Sequence, residues 1–372
     1  MAEHVLVTGG AGFIGSHLAD ALLAAGHRVR VLDALEPQVH GTAAVPAWLD
    51  GGAEFVRGSV RDADVVRRVL QDVDVVFHEA AQVGVAQSMY AIARYVADNV
   101  AGTAVLLEEI VRRRDRVRKL VVASSMSIYG EGAYRDRAGT VRRVGLRTAG
   151  TLAAGEWEIR DPVSGETLEP IPTPESQPAH PTSVYAITKR DQEELCLAVG
   201  RAYGIPTVAL RYFNVYGARQ ALSNPYTGVA AIFASRLLNG RGPVIFEDGL
   251  QSRDFVHVSD VVRANLLAVE CDAADYEAVN VGTGQATTLL QVAAALARPL
   301  GCAAGPEITG GFRTGDIRHC VADISRARAL LGYAPQVDVA EGMAAYGEWV
   351  RGQLAEDRFE QARWELTERG LA

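Results

Sequence analysis

Short apolar runs alternate along the first half of the chain with segments whose apolar residues recur every three to four positions. His4–Thr8 is a Val-rich run that ends in glycines, and a helical pattern from Phe13 to Ala25 follows it until Gly26. Arg28–Asp33, Glu54–Arg57, Val73–His78 and Leu120–Ser124 read as further strands with helical stretches between them. The alternation continues in a long helix over Thr182–Tyr203 and a buried strand over Pro206–Tyr212. Strands alternating with helices connect by right-handed crossovers, so this pattern predicts an α/β fold with a parallel sheet covered on both faces.

Two regions break the alternation. Residues 131–178 carry Arg135, Arg137, Arg142, Arg143 and Arg147 among glycines, then a series of prolines from Pro162 onward, and read as a partly irregular surface insertion. After Asn214 short strands (Val244–Phe246, Val279–Val281) mix with helices at Ser259–Glu270, Leu289–Leu300 and Ile324–Leu331, and a charged helical tail runs from Ala340. The expected division is residues 1–215 as a nucleotide-binding domain and residues 216–372 as a smaller mixed α/β substrate-binding cap. Segments near 255–282 are expected to return to the first sheet.

Composition removes several alternatives. The chain has 37 basic and 45 acidic side chains, a net charge of −8, so no basic face awaits a nucleic acid. The run Arg112-Arg113-Arg114 with Arg116, Arg118 and Lys119 follows an apolar helical pattern and reads as a solvated helix end. The four cysteines, Cys196, Cys271, Cys302 and Cys320, are far apart and form no C-x-x-C pair, so neither a disulfide framework nor a metal site is expected. No apolar run reaches spanning length and no basic leader precedes one. A cytoplasmic protein that engages neither membrane nor nucleic acid is the expectation.

The first loop carries the strongest chemical signal. Thr8-Gly9-Gly10-Ala11-Gly12-Phe13-Ile14-Gly15 places glycines at 9, 12 and 15, directly after a strand and opening a helix. Gly9 permits the tight turn, Gly12 lets a pyrophosphate approach the backbone, and Gly15 permits close helix–strand packing; the helix N-terminus supplies free N–H groups. In that context the spacing predicts a Rossmann-type dinucleotide site. Asp33 ends the second strand, where a carboxylate accepts from ribose hydroxyls and repels a 2′-phosphate, so NAD is favoured over NADP.

Tyr185-Ala186-Ile187-Thr188-Lys189 places Tyr and Lys four apart, on one helix face. A free phenol has a pKa near 10, too high for a base at neutral pH, and a neighbouring ammonium together with an oxidised nicotinamide is expected to lower it. Ser124-Ser125 lie at the carboxyl end of their strand, where parallel sheets place ligands, and a hydroxyl there can bridge a substrate oxygen and the phenol.

With these pieces in order the chain resembles the extended short-chain dehydrogenase/reductase family, in particular its NAD-dependent sugar epimerase/dehydratase group. The matching stretches are Val7–Gly15, His78-Glu79-Ala80-Ala81, Asn99-Val100-Ala101-Gly102-Thr103, Ser124–Gly130, Tyr185–Lys189, Arg211–Gly217 and Arg253–Val258. The resemblance implies a catalytic set of Ser125, Tyr185 and Lys189. It implies NAD contacts from Gly9, Gly12, Phe13, Ile14, Gly15, Asp33, Ala80, Ala81, Asn99, Ser124, Tyr185, Lys189 and Tyr212. For a nucleoside-diphosphate sugar it implies Asn214 and Arg253 on the diphosphate side and Arg313 with Asp316, in Arg313-Thr314-Gly315-Asp316, as a nucleotide clamp. Val85, Ser88 and Asn224, within stretches 82–88, 223–228 and 246–249, and Ser127 are expected along the sugar. A homodimer through helices around 99–113 and 182–200 is also implied.

The chain departs from the family pattern twice. Gly58-Ser59-Val60 lacks the usual Asp for the adenine, with Asp62 as the expected substitute, and Glu79 replaces an apolar residue.

The residues after Ser125 bear on the reaction. Dehydratases and decarboxylases of the family carry an acidic group there, which elimination needs to move protons at carbons 5 and 6. Here Met126-Ser127 follow, with no ionisable group. The expected reaction is 4-epimerisation: oxidation at carbon 4, rotation of the keto sugar and re-reduction. Similarity favours dTDP-L-rhamnose or another dTDP-6-deoxyhexose; UDP-glucose/galactose epimerisation, one-way 4-ketoreduction and a non-catalytic NAD sensor are the alternatives.

Overall fold

The structure is a computed structural model, and it describes residues 2–41, 44–313 and 315–371. Its centre is a seven-stranded sheet: β1 (His4–Thr8), β2 (Arg28–Asp33), β3 (Glu54–Arg57), β4 (Val75–His78), β5 (Lys119–Ser125), β6 (Thr207–Tyr212) and β7 (Ala278–Val281). The strands lie in the order β7-β6-β5-β4-β1-β2-β3 and all neighbours are parallel.

Successive strand residues face opposite sides, and both sides are apolar. Val5, Val7, Phe77, Val121 and Leu210 pack with Leu18 and Leu22 of α1 (Phe13–Ala24). Leu6, Val76, Leu120, Val122 and Ala209 pack on the other face with Leu106 and Ile110 of α2 (Gly102–Val111) and Leu197 of α3 (Val184–Tyr203). Two-sided burial is why these strands read as continuous apolar runs instead of alternating ones. The architecture is a Rossmann-type doubly wound α/β sheet. Strand β4 starts two residues later than its apolar run predicts. Asp74 instead ties the chain to β1, its side chain accepting from the His4 N–H at 2.9 Å.

A smaller body forms from helices Val229–Leu238, Leu289–Leu300 and Val339–Arg351, which enclose Phe233, Leu237, Val292, Leu296, Met343 and Val350. The insertion is more ordered than its composition predicts. Ala133–Arg135 pairs antiparallel with Val141–Arg142 and Glu169–Ile171, over a core of Tyr134, Ile159 and Leu168.

The basic run is also divided differently from the expectation. Arg112 and Arg113 pair with Glu109 at 2.9 and 3.0 Å near the helix end. Lys119, however, opens β5 and is buried, its ammonium paired with Asp275 and donating to the Cys271 carbonyl. A charge at the start of a central strand can be buried only with such a partner.

Candidate active site

The strand order reverses between β1 and β4, and the carboxyl ends of these two strands open into a cleft of about 780 Å³. Gly9 turns there with φ +69°, and a Cβ on it would sit 2.8 Å from the backbone N and Cα of Ala80. At Gly15 a Cβ would lie 2.7 Å from the Gly10 Cα and collide with the Gly9 carbonyl. Only glycine allows the loop to be this tight. Gly12 caps α1, whose first turn has no side-chain cap and no acidic residue, so its amides remain available to an anion. Asp33 both shapes this loop and faces the cleft: Oδ2 accepts from the Ala11 N–H at 3.0 Å and Oδ1 from the Leu35 N–H at 2.8 Å.

At the other end of the cleft α3 presents Tyr185 and Lys189 one turn apart. Ser183 caps this helix by accepting from the Ala186 N–H at 3.1 Å, and Ser88 Oγ accepts from the Tyr185 N–H at 3.0 Å. Ser125 Oγ accepts from the Ser127 N–H at 3.1 Å, has the Ser127 hydroxyl at 2.9 Å, and is hydrogen-bonded to the Tyr185 phenol. Lys189 Nζ donates to Gln192 Oε1 at 3.0 Å; Gln192 Nε2 in turn donates to Thr103 Oγ1 at 2.9 Å, beside the His78 ring. The ring is held by the hydroxyls of Thr8 and Thr103, both at 2.8 Å.

Burial governs the charges here. It lowers His78 to about 3, helped by the Lys189 ammonium, so the imidazole is neutral. It lowers Lys189 to about 8, with the Glu79 carboxylate opposing. It raises Tyr185, with the Ser125 hydrogen bond pulling the other way. The Lys189 ammonium is engaged with Gln192, and on the phenol burial outweighs the Ser125 hydrogen bond.

Glu79, at the end of β4, has a definite place. Its Oε1 accepts from the Tyr212 hydroxyl at 2.8 Å, and that hydroxyl accepts from Asn265 Nδ2 at 2.7 Å. Burial raises the carboxyl to about 7, opposed by the Tyr212 hydrogen bond and the Lys189 charge.

Comparison with known proteins matches this arrangement. The family model described as NAD dependent epimerase/dehydratase family matches residues 5–144 and 161–282. The chain belongs to the NAD dependent epimerase/dehydratase family. It is 37% identical over 355 residues to a dTDP-L-rhamnose 4-epimerase of Burkholderia thailandensis, covering 95% of this chain and 96% of that protein. It is 35% identical over 356 residues to a UDP-glucose 4-epimerase of Mycolicibacterium smegmatis, covering 94% and 98%. The UDP-glucose 4-epimerase of Thermotoga maritima, solved with UDP-glucose, superposes with a TM-score of 0.76 at 35% identity, covering 94% of this chain and 98% of that one.

A member of this family is an enzyme with NAD as its cofactor, and the cleft fits that group. The glycine cradle leaves no room for side chains, and Asp33 lines the cleft beside it.

Most residues expected at the site line the cleft together: Gly9, Gly12, Phe13, Ile14, Gly15, Asp33, Ala80, Ala81, Ser124, Ser125, Tyr185, Lys189 and Tyr212, and on the cap side Val85, Ser127, Asn214 and Asn224. Six do not. Asp62 caps the helix Ala63–Val69, accepting from the Asp64 and Val65 N–H groups, while Ser59, Val60 and Arg61 line the cleft. Asn99 is fully buried and joins Gln82 to Thr188. Ser88 is fully buried and bonded to Val85 and Tyr185, so it holds the Tyr185 helix instead of facing a sugar.

The guanidinium of Arg253 donates to the carbonyls of Ser252, Ile317 and Arg318. Arg313 pairs with Asp316 at 3.1 Å and stacks 4.6 Å over the Phe246 ring; Thr314, between them, lies outside the described residues. Of the stretch 246–249, Glu247 and Asp248 are occupied by arginines instead of the cleft.

Sequence reading missed Gln192, whose three-residue spacing from Lys189 on one helix was the available signal. It also missed Glu193, which accepts from Ser124 Oγ at 2.6 Å, and His40, whose ring lies 3.7 Å from Asp33. No local pattern marks either one. Among the described residues no group of three or more His, Cys, Asp or Glu is placed to hold a metal ion, and no helix is long and apolar enough to cross a membrane.

Proposed function

We propose that this enzyme is an NAD-dependent nucleoside-diphosphate-sugar 4-epimerase, with a dTDP-6-deoxyhexose such as dTDP-L-rhamnose as substrate. The observation that carries the reading is that neither of the two residues following Ser125 is ionisable. Met126 and Ser127 both line the cleft beside Tyr185, and neither can exchange the protons that elimination requires. The substrate follows the relative of Burkholderia thailandensis, 37% identical along nearly the whole chain.

In this reading Tyr185 takes the proton of the sugar's 4-hydroxyl as the hydride leaves carbon 4. Ser125, steadied by Ser127, holds the same oxygen, and Lys189 keeps a positive charge beneath the phenol. NAD, when bound, accepts the hydride and gives it back. Because the proton and the hydride both return to the sugar, Tyr185 needs no exchange with solvent, which suits its burial. The keto sugar turns between the two events in the space bordered by Val83, Val85, Asn224 and Thr227.

UDP-glucose is the second substrate to weigh, since the relatives from Mycolicibacterium smegmatis and Thermotoga maritima are named for it at 35% identity.

We assign residues 1–215, with the return of Ala278–Val281 to the sheet, to the cofactor domain and residues 216–372 to the substrate cap. A homodimer is supported by exposed Met89, Ile92, Val96 and Ile187, and a cytoplasmic site by four unpaired thiols.

The test incubates the purified protein separately with dTDP-L-rhamnose, UDP-glucose and UDP-galactose, without added cofactor, following carbon 4 by proton NMR. Inversion without net cofactor reduction is expected, with dTDP-L-rhamnose. Turnover of a 4-keto sugar only after NADH or NADPH is added would make the protein a reductase.

A further inference from the structure

The Glu79 carboxyl is an acidic group on the cleft wall that the epimerase reading leaves without work. Its place follows from the topology. Asp33 and β2 lie on one side of β1 and fix the adenosine half of a dinucleotide there; β4 lies on the other side, next to β5. A cofactor with its pyrophosphate on α1 must therefore pass its nicotinamide half over the ends of β4 and β5, toward Ser125 and Tyr185. Glu79 is the last-but-one step of that path: it follows β4 directly, and the adjoining Ala80 backbone is what Gly9 packs against.

The side chain is also held in place. Tyr212, opposite Ser125 in the β5–β6 register, donates to Glu79 Oε1 at 2.8 Å, and Asn265 orders the tyrosine from below. The carboxyl is thus fixed under the nicotinamide half of the cleft by two uncharged partners, and the Lys189 charge together with the Tyr212 hydrogen bond favours its ionised form against the burial that raises it to about 7.

We propose that Glu79 sets the redox balance of the bound cofactor, favouring the oxidised over the reduced nicotinamide. The oxidised ring carries a positive charge and the reduced ring does not, so a fixed carboxylate beside it stabilises only the former. The proposal rests on the NAD site described above, and on no particular sugar. In the reaction the C4–H bond breaks with its electron pair moving to the nicotinamide, and the 4-hydroxyl proton moves to Tyr185. Glu79 forms no bond in this step; it makes the reduced cofactor a higher-energy state, so the hydride returns to the keto sugar readily and the enzyme is not left reduced if the keto sugar escapes. It is a positioning residue for charge, not a catalytic one.

The test uses holoenzyme carrying Glu79→Gln, which keeps the size and the Tyr212 hydrogen bond but removes the charge. The midpoint potential of the bound cofactor is read by its 340 nm absorbance during equilibration with a redox dye, with no sugar present. An upward shift equivalent to about a tenfold change in the oxidised-to-reduced ratio, about 30 mV for a two-electron couple, is expected. Glu79→Leu, the apolar type usual in the family, should shift it in the same direction and covers the case in which the Gln variant folds poorly. An unchanged potential in either folded variant overturns the proposal. A shifted potential in a protein that inverts none of the sugars would retain this role for Glu79 and refute the epimerase.

Discussion

The guanidinium of Arg147, in the insertion, grips both carboxylate oxygens of Glu247 at 2.9 and 2.7 Å, with both side chains buried. Arg318, fully buried, adds a third bond to Glu247 at 3.0 Å, and Arg147 also donates to the Asp316 carbonyl. The insertion is therefore clamped to the loop at 246–249 and to Asp316. Removing one partner of a buried pair leaves the other charge stranded, at about 3–5 kcal/mol. Because Arg318 still pairs with Glu247, Arg147→Met is expected to destabilise the enzyme by less than that in urea unfolding. The double variant Arg147→Met/Glu247→Gln should recover part of the loss. Equal stability of Arg147→Met and the native chain would mean that the insertion is held in some other way.

Tyr185→Phe removes the proton acceptor and leaves the ring, its helix and the Ser88 anchor intact. The epimerisation rate should fall by about 10²–10⁴-fold. Copurified NAD, measured by absorbance after denaturation, should stay at native occupancy. Loss of NAD together with rate would instead assign the phenol to cofactor retention.

Asp33 carries two tasks at once, and its variants should separate them. Asp33→Asn keeps a side-chain acceptor for one of the Ala11 and Leu35 amides, turns its NH2 toward the other, and removes the charge that repels a 2′-phosphate. Its preference for NAD over NADP should narrow by roughly tenfold or more, on the scale of a lost charge interaction. The ratio of the two dissociation constants is the measurement, and an unchanged ratio would place the discrimination elsewhere, with His40 the neighbour to examine.

His78 is held neutral, with its pKa lowered from 6.5 to about 3. The unfolded chain takes up a proton below pH 6.5 that the folded one refuses, so stability rises with pH across this window and is lost as pH falls through it. His78→Gln should be less stable than the native protein at pH 7.5, by about 1–3 kcal/mol for the lost hydrogen bonds between the ring and the Thr8 and Thr103 hydroxyls. It should also lose less on going to pH 5. Parallel losses in the two proteins would show that other groups set the acid limit.

The exposed apolar residues Ile92 and Ile187 are two points of the surface assigned to the dimer. Ile92→Glu with Ile187→Glu places charges at the centre of such an interface, where charged residues are disfavoured. Light scattering should find a monomer where the native protein is a dimer. A native monomer would remove the assignment outright.

The strands and the glycine loop were legible because their signals are local. A Val-rich run followed at once by G-x-x-G-x-x-G spacing has few other backbone solutions, and a Tyr and a Lys four apart must share a helix face wherever that helix goes. The same holds for Asp33, which sits at the end of its strand by position alone.

What needed the fold was the direction and company of individual side chains. Asn99 and Ser88 stand in stretches expected at the site and Asp62 next to a departure from the family pattern, yet each spends its polar atoms on backbone or neighbouring side chains instead of the cleft. Arg147 and Glu247 are a hundred residues apart, and no periodicity links them. Glu79 was only an unexplained charge in the chain, and acquires a partner because β6 delivers Tyr212 to the strand end beside it. Period, turn and helix face are properties of a few consecutive residues. Burial, charge pairing and pKa depend on what distant segments bring into contact, and the sheet order, not the local pattern, decides that.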